Sequence, residues 1–387
     1  MSLHSSRKKF LVVSAAAASA SPFAFPNVVL GKGEPIRLGV LPPVTGAQAL
    51  LGQQETEGSH YAVDEINARP EKVYDGRPLD LVIEDATSDN QSAVGALNKL
   101  LGENVDAVVC PVLSTQIQAM APVMKTRPEP WMTGGTAVKN TQLGLTNIFR
   151  CRASDGITAQ AMTSFAAQEL KGKKIAVFHS SETFGTAGAD QVEASLAKFG
   201  MKAVAREQYP NGTKDFTPEL LRIKQSGADV MIGYIQNPSD VAVIFAQFHS
   251  LGMKIPVIGS PSVGNQVAIE TAGKNSNGVY CAQDFIPGFN TNVATKFLTG
   301  FYNRFHHLPD VGTGSGWVYD AIRLLADTYK KIGTTDKAKT VAALHQTKHW
   351  EGVLGDFTCD AEGNMIHTMA IGQIQSGKVV LRKKVVV

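Results

Sequence analysis

The sequence predicts an α/β chain of two doubly wound lobes, each a parallel sheet covered by helices. Three observations predict it. Short apolar, β-branched runs alternate with longer segments of helical period almost to the C-terminus, as expected where helical crossovers join parallel strands. Of the 387 residues, about 360 remain beyond the first 26, more than a single core usually organises. The run Ile36-Arg37-Leu38-Gly39-Val40, a Gly-containing turn and a long helix are echoed by Lys174-Ile175-Ala176-Val177-Phe178, a turn with Gly185 and another helix. In open α/β sheets ligands bind beyond the carboxyl ends of the strands, so two such lobes face to face enclose a cleft.

At the N-terminus, Arg7, Lys8 and Lys9 form a basic head before the Ala-rich apolar run from Phe10 to Ala20, the order of an export signal, assigned to 1–26. The run is about half of the roughly 20 apolar residues a spanning helix needs, and Pro22 and Pro26 close it. Ser6 to Leu11 is similar to the twin-arginine export motif with lysine at the second arginine, so the general and twin-arginine routes both stay open. Ala18, Ala20 and Ala24 offer cleavage sites, and no cysteine follows to take a lipid.

Strands are then expected at Ile36 to Leu41, Leu79 to Glu84, Ala107 to Pro111, Trp131 to Thr133, Lys174 to His179, Ala203 to Gln208, Val230 to Tyr234 and Val257 to Gly259. Each is bounded by Gly, Pro, Asp or Lys, as buried parallel strands tend to be. Helices fill the gaps from Gln48 to Ala68, Gln91 to Gly102, Thr115 to Lys125, Thr158 to Leu170, Ala187 to Phe199, Thr217 to Ser226, Pro238 to Leu251, Val293 to Arg304, Gly316 to Ile332 and Lys337 to Gln346. The first shows the period well, with Leu51, Ala62 and Ile66 on one stripe.

The composition excludes several functions. A formal charge of +3 comes partly from the leader and from Arg382-Lys383-Lys384, leaving no basic face for nucleic acid. Cys110, Cys151, Cys281 and Cys359 lie far apart without CxxC, and no histidine stands at ligand spacing, so no zinc site or other cofactor is expected. Neither GxSxG nor GxxxxGK[ST] occurs. The glycines from Gly312 to Gly316 miss the GxGxxG spacing at Trp317 and read as a flexible loop. His306-His307 reads as solvated surface, and Asp85 and Asp89, in a polar turn after a strand, as helix caps rather than paired acids. Binding is expected rather than catalysis.

The segments IRLGVLPPVTG (Ile36 to Gly46) with Gly52, AVDEINA (Ala62 to Ala68), DLVIEDATSDNQSAV (Asp80 to Val94), NIFRCRASD (Asn147 to Asp155), KKIAVFHSSETFGTAG (Lys173 to Gly188), KDFTPELLRIKQSGADV (Lys214 to Val230) and EGVLGDFTCDAEGN (Glu351 to Asn364) carry a resemblance. In this order and spacing the chain resembles the branched-chain amino-acid (Leu/Ile/Val) type of periplasmic solute-binding protein of ABC transporters. The resemblance implies the type I periplasmic binding fold, a monomer without enzymatic activity, and a membrane permease as partner. It implies a three-crossing hinge near Cys151, Cys281 and Cys359, with the first lobe at 34–151 plus 287–352 and the second at 152–286 plus 353–387. The hinge cysteines read either as a redox latch or, more simply, as buried thiols packing as small apolar groups.

In such receptors the first lobe holds a carboxylate, and the matching positions are Ser114, Thr115, Gly134, Gly135 and Thr136. The physics agrees, since free N–H groups at a helix start bind an anion without a buried cation; Ser114 taken alone would read as a helix cap. On the second lobe Phe184 matches a covering aromatic, although a core role fits it equally. Tyr234, Gln236 and Asn237 follow a contact-bearing strand, and Gln48 matches an opening-loop contact. Family members that bind amino acids carry an acid after the strand ending here at Gly259, because a buried ammonium is costly without a carboxylate. This chain has Ser260-Pro261-Ser262-Val263 there, with Asp284 the nearest substitute and equally suited to a structural role. The expected ligand is therefore a small carboxylate without an α-amino group, an aromatic or branched aliphatic acid; an amino-acid binder and a ligand-sensing receptor of the same fold are the alternatives.

Overall fold

The computed structural model describes residues 33–288 and 291–385, so the expected export signal lies outside the described residues. The chain first forms β1 (Ile36–Val40), α1 (Ala49–Asn67), β2 (Leu79–Ile83), α2 (Asn90–Leu101), β3 (Ala107–Val109), α3 (Ser114–Met124), β4 (Trp131–Thr133) and β5 (Ile148–Arg150). A second half follows with α4 (Asp155–Gln168), β6 (Ile175–Ser180), α5 (Thr183–Lys198), β7 (Ala205–Tyr209), α6 (Thr217–Gln225), β8 (Val230–Tyr234), α7 (Pro238–Ser250), β9 (Val257–Gly259), α8 (Gln266–Ala272) and β10 (Tyr280–Gln283). The first half is then completed by α9 (Asn292–Phe305), α10 (Ser315–Ile332), α11 (Lys337–His345) and the short strands β11 (Trp350–Glu351), β12 (Asp356–Cys359) and β13 (Met365–Ile366). β14 (Met369–Gln375) and β15 (Lys378–Val385) end the chain on the second sheet.

The first sheet runs β2-β1-β3-β4-β5, all parallel. The second runs β7-β6-β8-β9-β10 in parallel and adds β14 and β15 antiparallel at one edge. The five parallel strands thus share one order in both halves, with the switch point between β1 and β3 and between β6 and β8. Alternation along each strand feeds a core on either face. Ala107 and Val109 pack with Ala62 and Ile66 of α1 and Leu325 of α10, while Val108 packs with Leu97 of α2 and Ile117 of α3. In the second half Ala176 and Phe178 face α6 and α7, and Ile175 and Val177 face α4 and α5.

Local chemistry sets several boundaries. Asp89 caps α2 by accepting from the Ser92 N–H at 2.8 Å, whereas Asp85 caps nothing and instead ties Thr45 to Thr87. α4 starts at Asp155 rather than Thr158 because Ser154 caps it, and α5 starts at Thr183, so Gly185 stands in a helix rather than a turn. The basic residues Arg382 to Lys384 belong to β15, paired with β14. All four cysteines are free thiols, three of them buried. Val353, Leu354, Phe357 and Met365 share the first core with Phe149 and Leu344. His367 and Thr368 lead from β13 to β14 of the second sheet, and Cys359 sits on β12.

One residue from each crossing meets at Asp284. Its carboxylate accepts from Arg152 Nη2 at 2.9 Å and from the Ala153 N–H at 2.9 Å, and His367 Nε2 lies 3.2 Å away. Burial raises the Asp284 pKa, but Arg152 and His367 outweigh it and hold the carboxyl at about 2. An unfolded aspartate titrates near ~3.9, so this cluster stabilises the fold fully above about pH 4 and loses that contribution as the pH falls towards 2. Asp284→Ala, which leaves Arg152 buried without its counter-charge, is expected to cost about 3–5 kcal/mol in urea denaturation at neutral pH, with the deficit shrinking at low pH.

Candidate functional site

A cavity of about 370 Å³ opens between the two sheets at their switch points. The first half lines it with residues 46–51 and Gln54 after β1, residues 112–115 after β3, and Thr136 after β4. The second contributes Phe184 after β6, Gln236, Pro238 and Ser239 after β8, and Ser262 and Asn265 after β9. Arg152 from the hinge and Asp310 and Thr313 from the loop between α9 and α10 complete the wall.

Ser114 is the first residue of α3 and makes no capping bond. Its Oγ accepts from the Ala137 N–H and from Asn140 Nδ2, both at 3.2 Å, which occupies its lone pairs and leaves the hydroxyl proton to donate. The N–H groups of Ser114 and Thr115, at the start of the helix, have no intrahelical partner and carry its positive dipole end. Thr136 closes this side; its carbonyl accepts from Arg150 Nη1 at 2.5 Å and from the Asp155 N–H at 2.8 Å, across the hinge.

Of the expected contacts, Gln48, Ser114, Thr115, Thr136, Phe184 and Gln236 meet on the cavity, and six do not line it. Gly134 and Gly135 serve close packing: a Cβ would lie 2.6 Å from the Trp317 ring at one and 2.2 Å from Ile117 at the other. The Gly135 N–H is spent on Thr133 Oγ1. Tyr234 is fully buried and donates to the Asp155 carbonyl at 3.3 Å, placing its ring in the core beside Phe184. Asn237 accepts from Gln48 Nε2 at 2.6 Å, a bond between the halves. Ser260 is fully buried, and its neighbour Ser262 reaches the wall instead. Asp284 is held in the hinge by its three partners. Phe184 serves both expected roles, lining the cavity while packing on Tyr234 at 5.4 Å between ring centroids.

Sequence reading missed Gln54, Arg152, Asn265, Asp310 and Thr313. Arg152 is the cation of the wall, and Asp284 neutralises it. Asp310 is the acid of the wall. Burial raises its pKa, offset in part by bonds from Thr313, and Asn265 Nδ2 also donates to it across the cleft. Behind the wall Glu55 is buried beside the Trp317 indole, and desolvation pushes its carboxyl well above the usual range. Among the described residues no cluster of His, Cys, Asp or Glu could hold a metal ion, and no helix is long and apolar enough to cross a membrane.

A pair of doubly wound halves that enclose a cavity of mixed polar and apolar lining at their facing switch points defines a hinged binding protein. The chain belongs to the periplasmic binding protein family, whose pattern matches residues 35–378. It is similar to Leu/Ile/Val-binding protein homolog 3 of Brucella melitensis, with 27% identity over 334 residues, covering 85% of this chain and 88% of that protein. In structure it is similar to a leucine binding protein from Thermotoga maritima, with a TM-score of 0.83, 22% identity, and coverage of 90% of this chain and 98% of that one. A solute binding protein of an ABC transporter from R. palustris, in complex with benzoate, has a TM-score of 0.80 and 20% identity, covering 90% and 96%.

Asp155 lies directly behind Thr136 and is fully buried. Burial lifts its carboxyl to about 7, and the Thr136 hydroxyl, Arg150 and Arg152 offset this only in part. Because the folded state holds this proton more tightly than the unfolded chain, the contribution of Asp155 to stability is most favourable below about pH 4 and declines as the pH rises from about 4 to 7. Asp155→Asn is expected to flatten that decline, gaining on the wild type by of order 2 kcal/mol between pH 5 and 8 in urea titrations.

Proposed function

We propose that the protein is the exported solute-binding component of an ABC importer. It closes as a monomer around a small carboxylate-bearing molecule, an aromatic or branched aliphatic acid, and passes it unchanged to a membrane permease. Its lobes are 34–151 plus 287–366 and 152–286 plus 369–385. The observation that carries the ligand class is Ser114, whose oxygen is saturated by two N–H donors and whose proton is left for an acceptor, at the start of a helix with free N–H groups. That wall suits an anion without a free cation, since Arg152 is committed to Asp284. The relative in complex with benzoate supports an acid of this size.

A second reading, an α-amino acid, draws on Asp310 in the wall and on the relatives named for leucine, isoleucine and valine. Closure is served by the bonds from Gln48 to Asn237 and from Asn265 to Asp310, which bracket the cavity. A ligand touching both halves adds to these and stabilises the closed state by its differential affinity. A sensory receptor of the same fold would use the same cleft.

Calorimetric titration with benzoate and isovalerate beside leucine tests the ligand class. At least one acid is expected to bind more tightly than leucine and to be recovered unchanged, and tight leucine binding would favour the second reading. Ser114→Ala is expected to weaken the bound acid about tenfold or more, since it removes a hydrogen bond to a charged group, and to lower the melting temperature of the unliganded protein, since the buried Ala137 N–H and Asn140 Nδ2 lose their acceptor.

A further inference from the structure

The loop between α9 and α10 is held far more firmly than its glycines suggest. A Cβ at Gly314 would lie 2.7 Å from Gln54 Cβ, and one at Gly316 would lie 2.3 Å from the Val311 carbonyl oxygen, so the loop is pressed against α1. This packing brings Asp310 and Gln54 together on the cavity wall. The Asp310 N–H donates to Gln54 Oε1 at 2.8 Å, and the Ser315 hydroxyl reaches the same oxygen at 3.4 Å. With its oxygen engaged from the loop, Gln54 has its amide NH2 left to donate. Asp310 Oδ2 receives Thr313 Oγ1 and Asn265 Nδ2, while Oδ1 receives only the Thr313 N–H at 3.2 Å. A carboxylate oxygen has room for a second donor. The wall therefore sets a fixed acceptor beside a fixed donor.

We propose that Asp310 and Gln54 form a hydroxyl-reading subsite, so that the solute carries, besides its carboxylate, a hydroxyl group that donates to Asp310 and accepts from Gln54. This rests on the acid-binding reading given above and narrows it. An ammonium group can satisfy Asp310 but only opposes the Gln54 amide, because it has no acceptor; a bare hydrocarbon leaves both groups desolvated without partners. Because Asn265 of the second half donates to the same carboxylate, recognition of the hydroxyl on Oδ1 and apposition of the halves through Oδ2 share one side chain, Asp310.

The test is calorimetric titration of the full mature chain with three acids that differ at one position: benzoate, 4-hydroxybenzoate and 4-(aminomethyl)benzoate. The hydroxy acid is expected to bind about tenfold or more tightly than benzoate, as a site built around a hydrogen bond discriminates against the analogue that lacks it. Asp310→Asn and Gln54→Met, each with its melting temperature measured to establish folding, are expected to abolish that preference, read within each variant as the ratio of hydroxy-acid to benzoate affinity. Gln54→Met leaves the bonds among Asp310, Thr313 and Asn265 intact, so it decides the matter if Asp310→Asn fails to fold. Equal affinity for benzoate and the hydroxy acid, a preference for the ammonium compound, or a hydroxyl preference that survives Gln54→Met would overturn the subsite while leaving the acid-binding reading in place. If the wild type binds none of the three and isovalerate does not bind either, the acid-binding reading falls and the subsite falls with it; if isovalerate alone binds, the subsite falls unless 2-hydroxyisovalerate binds about tenfold more tightly than isovalerate.

Discussion

The two halves of this molecule are joined through one carboxylate. Asp284, on the second crossing, accepts from Arg152 and Ala153 on the first and faces His367 on the third. A buried ion pair of this kind adds little net stability over apolar packing, because desolvation offsets most of the attraction, but it specifies geometry. Here it specifies that three stretches of chain, 132 and 83 residues apart in sequence, pass through one point. It also neutralises Arg152, which would otherwise be a bare cation in the cavity wall. The pivot and the electrostatic character of the cleft are therefore set by the same contact.

The remaining architecture follows from repetition. Each half places the same strand order under helices on both faces, and each turns its switch point towards the other. A crevice outside the carboxyl ends of the strands arises in any such sheet. Two of them face to face surround a solute, and the loops after β1, β3, β6 and β8 supply most of the wall. On the first-half side Gln48, Ser114, Thr115 and Thr136 stand among Leu50, Leu51, Val112 and Leu113, and the charged members of the wall, Asp310 and Arg152, are each already bonded.

What was legible in the sequence follows the strength of local signals. Apolar runs such as Ile36 to Val40 and Val230 to Tyr234 are buried on both faces and stand out; their order along the chain, through the repeat at Lys174, reveals the duplicated plan. The strands β10, β14 and β15 went unread because they are short or carry alternating polar residues at a sheet edge, where Arg382 to Lys384 look like a tail. At the site, Ser114 and Thr115 open α3 and Thr136 follows β4, and all three border the cavity as their place after the strands suggests. Gly134 and Gly135 were assigned to the ligand although steric closeness to Trp317 and Ile117 is what requires them. Asp310 was missed because it comes from a loop 45 residues beyond Asn265, its partner across the cleft, and only the packing of Gly314 on α1 discloses it.

Thr136 unites wall and pivot. Its side chain borders the cavity while its carbonyl is bonded to the first residue of α4, which belongs to the opposite half. The floor of the site is thus part of the join between the halves: any change in their angle must either carry this carbonyl with α4 or break its bond. The shape of that floor and the angle between the halves are tied together by a single peptide oxygen.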